Sequence, residues 1–126
     1  MSKEEKQFDL EDRLVDFAVR VINAAESLPQ TRVGNHISGQ LIRCGTAPAP
    51  NYCEAESTES RADFIHKMKI CLKELRETKI WLLMIVKASL ITPVSKLDPL
   101  IDENNQLISI FVKSIKTAIE RNEETS

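Results

Sequence analysis

Phe64, Met68, Cys71, Leu75, Thr78, Leu82 and Ile85 recur at alternating intervals of four and three. Only an α-helix gathers such a set on one face, because 3.6 residues complete a turn. Ile65 and Leu72 stand beside this stripe, and no proline or glycine interrupts the chain from Ser60 to Thr92. Whatever the chain folds into must accommodate an amphipathic rod of about 45–50 Å. Ser60 opens the rod as an N-cap with Asp63 three positions later, close to a capping box. From Ile80 to Val86 the residues are apolar on every side ("IWLLMIV"). That length is too short to span a membrane and marks the end of the rod most completely surrounded by neighbours.

Three further runs carry the same period. In the first, from Asp9, Leu10, Leu14, Phe17, Val21, Ala24 and Leu28 form a stripe, with Val15, Ala18, Ile22 and Ala25 beside it. Together they make an apolar face wide enough for two neighbours, and Pro29 ends the helix by forcing Leu28 out of the α region. The second run, Val33, Ile37, Leu41 and Cys44, is capped by Thr31. The last starts at "LDPL", with Asp98 as N-cap, Pro99 at the first helical position and acids in the first turn. There Ile101, Ile108, Val112, Ile115 and Ile119 face one way, with Leu100, Leu107, Phe111 and Ala118 alongside.

The spacing predicts an all-α fold of one domain over residues 1–126, with helices at about 9–27, 32–57, 60–91 and 98–121 and disordered ends at 1–7 and 122–126. Short connections near Pro29 and Pro93 favour an antiparallel, up-and-down four-helix bundle. Only three glycines occur in 126 residues, which argues against sheets joined by tight turns. The ambiguous stretch is "RCGTAPAPNYCEAESTES", residues 43–60, which holds two of the five prolines. Each proline costs a helix interior about 3 kcal/mol and Gly45 about 1 kcal/mol, so propensity alone ends the helix at Cys44. Yet "NYCEAES" beyond Pro50 is good helix material.

The charged N-terminus has no apolar signal-peptide core, so a cytoplasmic location with reduced cysteines is expected. Cys44, Cys53 and Cys71 lack disulfide or zinc spacing and read as small buried apolar residues. Net charge is −2, unevenly spread: residues 61–87 carry seven basic and three acidic side chains, whereas 1–27 and 98–126 each carry three more acids than bases. Opposite charge in neighbouring segments suits contacts between helices as well as it suits a polyanion.

No constellation for catalysis is legible. His36 and His66 have no ligand partners at metal spacing, no phosphate-binding glycine pattern occurs, and the Glu-x-x-His pairs of a di-metal bundle are missing. The residues therefore suggest neither an enzyme nor a cofactor. His66, Lys69, Lys73 and Arg76, spaced three, four and three apart, do form one basic stripe. It could neutralise a nucleic-acid backbone. The competing reading is a solvated face in which Glu74 and Glu77 pair with neighbours along the same helix. The pI of about 5.7 lies below the range of a typical nucleic-acid binder.

Residues 45–82 also carry a resemblance. Gly45, Thr46, Asn51, Glu54, Ala55, Ser60, Asp63, Phe64, Lys73, Glu74, Glu77, Thr78, Trp81 and Leu82 match in order. Pro29, Gln40, Leu41 and Arg43 precede them in the same pattern. Over about residues 8–120 the sequence resembles the four-helix-bundle 23S rRNA intervening-sequence proteins. The resemblance implies that the second helix runs on through the proline segment, so that 32–57 is one kinked helix. Pro48 and Pro50 together, with Ala47 in place of the usual serine, depart from the family pattern. It further implies a bacterial, non-enzymatic protein that forms ring-like homopentamers, and the residues agree with self-association. The run from Asp9 and the rod from Ser60 are more apolar than a four-helix bundle needs, and one monomer has too few helices to cover Ile80–Val86. The leftover surface is expected to be an interface between copies. Relatives are accessory proteins to the reverse transcriptases of diversity-generating retroelements and bind nucleic acid. RNA, single-stranded DNA or a reverse transcriptase are thus the candidate partners beside a second copy, and a protein–protein adaptor is the alternative. Asn51 and Glu54 are expected to satisfy backbone groups freed by the prolines, with Glu54 meeting Arg43 or a base of the third helix.

Overall fold

The structure, a computed structural model, describes the backbone of residues 3–125 and the side chains of residues 10–123. It contains α1 (Lys3–Glu26), α2 (Arg32–Thr46), α3 (Pro48–Glu56), α4 (Arg61–Lys87) and α5 (Asp98–Thr125), with a 3-10 turn at Val94–Leu97 before α5. Among the described residues there is no strand. Thr31 caps α2, its Oγ1 accepting from the Gly34 N–H at 3.0 Å. Ser60 caps α4, its Oγ accepting from the Asp63 N–H at 3.1 Å.

Ala47 resolves the proline stretch. Its φ of −69° and ψ of −36° are helical, and it stands alone between α2 and α3. The chain therefore passes from one segment to the next without leaving the α region, so α2 and α3 are two halves of one interrupted helix and the rods number four. Pro48 and Pro50 remove the N–H groups that would have reached the carbonyls of Cys44 and Thr46. The expectation that Asn51 and Glu54 compensate those carbonyls is corrected. Asn51 Nδ2 donates to the Ala47 carbonyl at 2.9 Å, which also accepts the Asn51 N–H at 3.2 Å. Glu54, whose carboxylate can only accept, takes a bond from Lys67 Nζ at 3.3 Å, which is the expected contact with a base of the third rod.

Several boundaries also differ. α1 starts at Lys3 rather than near Asp9, and α5 continues to Thr125, because Lys- and Glu-rich ends have good helix propensity. Residues 1, 2 and 126 of the expected disordered ends lie outside the described residues. α4 stops at Lys87, four residues early. Ser89 takes a positive φ of 52°, and the Leu90 and Ser89 N–H groups bond back to the carbonyls of Ile85 and Val86. This is a Schellman termination without glycine. Asp98 is no extended N-cap: it is already helical, because the 3-10 turn leads directly into α5.

The core runs through Leu14, Phe17 and Val21 of α1, Ile37 and Leu41 of α2, Met68, Leu75, Leu82 and Ile85 of α4, and Leu107 and Phe111 of α5. On α5 the buried face is Leu100, Asn104, Leu107, Phe111, Ile115 and Ala118, and Val112 is exposed. The phase is set by what α5 meets: Tyr52 of α3 packs edge-on against Phe111 with ring centroids 6.0 Å apart. Asn104 is fully buried in this row, its Nδ2 donating to the Leu75 carbonyl at 3.1 Å. Cys44 and Cys71 are buried as expected, and burial pushes the Cys71 thiol up to about 12. Cys53 is exposed, since one residue of rotation from the buried Tyr52 carries it to the outside of α3.

Gly45 fixes how closely α1 and α2 approach. A Cβ there would lie 2.5 Å from Val21 Cγ1 and 2.8 Å from Cγ2. Val21 is fully buried and stiff at χ1, so neither side can yield. Gly45→Ala should therefore cost about 1–3 kcal/mol in urea denaturation. Adding Val21→Ala should return part of that loss, and strictly additive costs would mean that the two residues are not in contact.

A basic outer face on the fourth helix

Successive helix residues turn by about 100°, which divides α4 into three faces. Met68, Cys71, Leu75, Thr78, Leu82 and Ile85 point into the core. Glu74, Glu77 and Trp81 form the flank toward α2. There Arg43 bonds Glu74 Oε2 at 3.2 Å and also pairs with Glu77, while Gln40 Oε1 accepts from its Nε at 3.2 Å. Trp81 Nε1 donates to the same Glu77 carboxylate at 3.1 Å, and its ring meets His36 edge-on at 5.8 Å. Next along the rod, the Cys71 thiol faces the Pro48 carbonyl at 3.6 Å, and Lys67 meets Glu54. The interrupted helix thus follows this flank of α4 along its length.

The third face points outward. His66, Lys69, Lys73 and Arg76 are all exposed and share it. No ion pair holds Lys69, Lys73 or Arg76 among the described residues. The two acids expected to pair within the helix are turned away and occupied by Arg43, so no exposed carboxylate follows Asp63 before the end of α4. Of the other matched residues, Asp63 is exposed at the cap and Phe64 is half-buried against the core. Arg76 also borders a groove between α4 and α5 with Leu72, Val112, Lys116 and Glu120, where the charge is mixed.

Sequence reasoning placed four participants incompletely. Arg43 was placed in the matched pattern and as a partner for Glu54, although its position one turn before Ala47 brings it opposite Glu74 and Glu77. Ile80 and Met84, in the stretch that one monomer was expected to leave partly uncovered, are 51% and 45% exposed and continue the outer face beyond Arg76. Their register was available, since Ile80 is four residues after Arg76. Lys87 closes the same face. Among the described residues, no three His, Cys, Asp or Glu side chains gather where they could hold a metal ion, and no helix is long and apolar enough to cross a membrane.

The arrangement can attract anions by charge and offer two apolar side chains beside them. Arg43→Gln should free Glu74 and Glu77 to compensate the stripe, Glu77 lying at i+4 from Lys73. The variant should elute from a heparin column at lower salt than Arg32→Gln, which removes the same charge elsewhere on α2. Equal elution would mean that Arg43 does not govern the charge of the outer face.

Comparison with known proteins agrees with this architecture. A crystal structure at 1.70 Å resolution of a protein of unknown function from the S23 ribosomal protein family of Bacteroides thetaiotaomicron is similar at 33% identity. The match covers 85% of this chain and 98% of that one, with a TM-score of 0.78. No curated protein matches the sequence. The model of the 23S rRNA-intervening sequence protein family matches residues 6–113. With most of its length inside that match, and with the four helical rods and the Gly45–Leu82 motif in place, the chain belongs to the 23S rRNA-intervening sequence protein family.

Proposed function

We propose that this chain is a non-enzymatic accessory protein of the bacterial cytoplasm that self-associates and presents the outer face of α4 to nucleic acid. The observation that carries the reading is the stripe of His66, Lys69, Lys73 and Arg76, exposed and uncompensated because Arg43 holds the neighbouring acids. Three cations in one row along about 10 Å of helix match a phosphate backbone in charge and spacing rather than a single small anion. The up-and-down antiparallel arrangement is supported by the order of cross-helix contacts: Arg43 meets Glu74, Pro48 meets Cys71 and Glu54 meets Lys67. A ring-like homo-oligomer, with five copies as the resemblance implies, accounts for the apolar side chains left exposed on α1 and α4. Structured RNA, single-stranded DNA or the nucleic-acid complex of a reverse transcriptase are the partners this reading favours.

A protein–protein adaptor is the second reading. Ile80 and Met84 favour it, because exposed apolar residues continuing a charged row suit a protein surface better than a sugar–phosphate one.

Binding to a structured RNA, followed by fluorescence anisotropy at rising salt, separates the two. Affinity should fall as salt rises, and Lys69→Glu with Lys73→Glu should lower it at least about tenfold at fixed salt. No binding at low salt would overturn the nucleic-acid role and leave the adaptor.

A further inference from the structure

α1 carries a second unpartnered face. Val15, Val19 and Ile22 are 47%, 49% and 39% exposed on one side of the helix, although the sequence pattern places Val15 and Ile22 in a buried stripe. The charged residues around them are Asp12, Asp16 and Glu26, all exposed. Between Leu10 and Glu26 no exposed cation accompanies them. Arg13 is half-buried and turned to Glu103 at 2.8 Å, and Arg20 is half-buried in the lining of a groove shared with Ala24, Leu97 and Leu100. The outer face of α4 is the inverse: Ile80 and Met84 stand between Lys73 and Arg76 on one side and Lys87 on the other, with no exposed acid.

The two faces match in length as well as in sign. Asp12 and Glu26 bracket the α1 patch, and Lys73 and Lys87 bracket the α4 patch, each pair fourteen residues apart. Fourteen residues are nearly four turns, which returns both brackets to one side of the helix at a separation of about 21 Å. We infer that the α1 face of one copy docks on the α4 face of a second copy. Val15, Val19 and Ile22 then pack on Ile80 and Met84, and acid–base pairs close both ends. The inference rests on the self-association proposed above and adds the surfaces that make it. Two different patches meet, so the contact is head-to-tail and propagates until a ring closes. In the assembly Lys73 and Arg76 belong to the contact between copies, so of the α4 stripe His66 and Lys69, beyond the matched span, are the residues left on the rim for a polyanion.

Sedimentation velocity of the full chain over a range of concentrations tests this. Asp12→Lys with Glu26→Lys should leave monomers, and so should Lys73→Glu with Lys87→Glu, a loss of at least about a hundredfold in association. All four substitutions in one chain should restore the wild-type assembly, since every contact then carries exchanged signs. These side chains are exposed, and unchanged circular dichroism and melting would show that each variant folds. Wild-type oligomers that persist in both charge-reversed variants would overturn the pairing of faces while leaving self-association intact. A wild type that is monomeric throughout would overturn both. Assembly only on addition of RNA would give the α4 face to nucleic acid and overturn the pairing.

Discussion

The helical backbone at Ala47 is the constraint on which the rest depends. Two prolines within three residues would ordinarily end a helix, and a loop there would have released the second half of the rod from α4. Because Ala47 stays in the α region, the rod bends and continues, and it follows one flank of α4 from Trp81 back to Lys67. Along that flank it makes three polar contacts in order: Arg43 with Glu74 and Glu77, the Pro48 carbonyl with Cys71, and Glu54 with Lys67. Burial raises the Cys71 thiol to about 12, so the atom facing Pro48 is a neutral donor.

Charge segregation on the surface follows from this arrangement. α4 contains acids as well as bases, and in isolation its ion pairs would form along the helix. The neighbouring rod takes the acids for itself, and the outer side is left with cations alone. On α1 the reverse happens, since Arg13 reaches Glu103 while Asp12, Asp16 and Glu26 remain outside. A chain of net charge −2 thus acquires one positive and one negative face. Neither the total charge nor the pI reveals them. Surface ion pairs of this sort contribute little to folding, commonly under about 1 kcal/mol each. Their larger effect is on what the surface can recognise.

Much of the fold was legible because its signals are local. The caps at Thr31 and Ser60 and the stop before Pro29 depend on a few adjacent residues, and each lies where the sequence places it. The motif from Gly45 to Leu82 was legible for another reason: Gly45 permits the close approach to Val21, and Glu77 and Trp81 share one hydrogen bond. What periodicity could not supply was phase. α5 has two adjacent apolar rows, and the sequence alone could not place Phe111 and Leu107 inward with Asn104 between them. Likewise the α4 stripe was legible as a row of cations, whereas its lack of compensation depends on Arg43, more than thirty positions away in the chain. The surplus of apolar residues on α1 was legible, but that Val15, Val19 and Ile22 are the ones left outside depends on where the other helices pack.

Hydroxyl-radical footprinting of the wild-type protein, dilute and concentrated, addresses the central claim that the outer faces of α1 and α4 cover one another. Met84 is the most sensitive reporter, with Val15, Val19, Ile22 and Ile80 beside it, and Val33 and Val94 serve as exposed controls on other surfaces. On concentration, labelling of Met84 and the α1 residues should fall together while Val33 and Val94 stay unchanged. Equal labelling of Met84 and Val19 in dilute protein and in assembled protein would contradict the account.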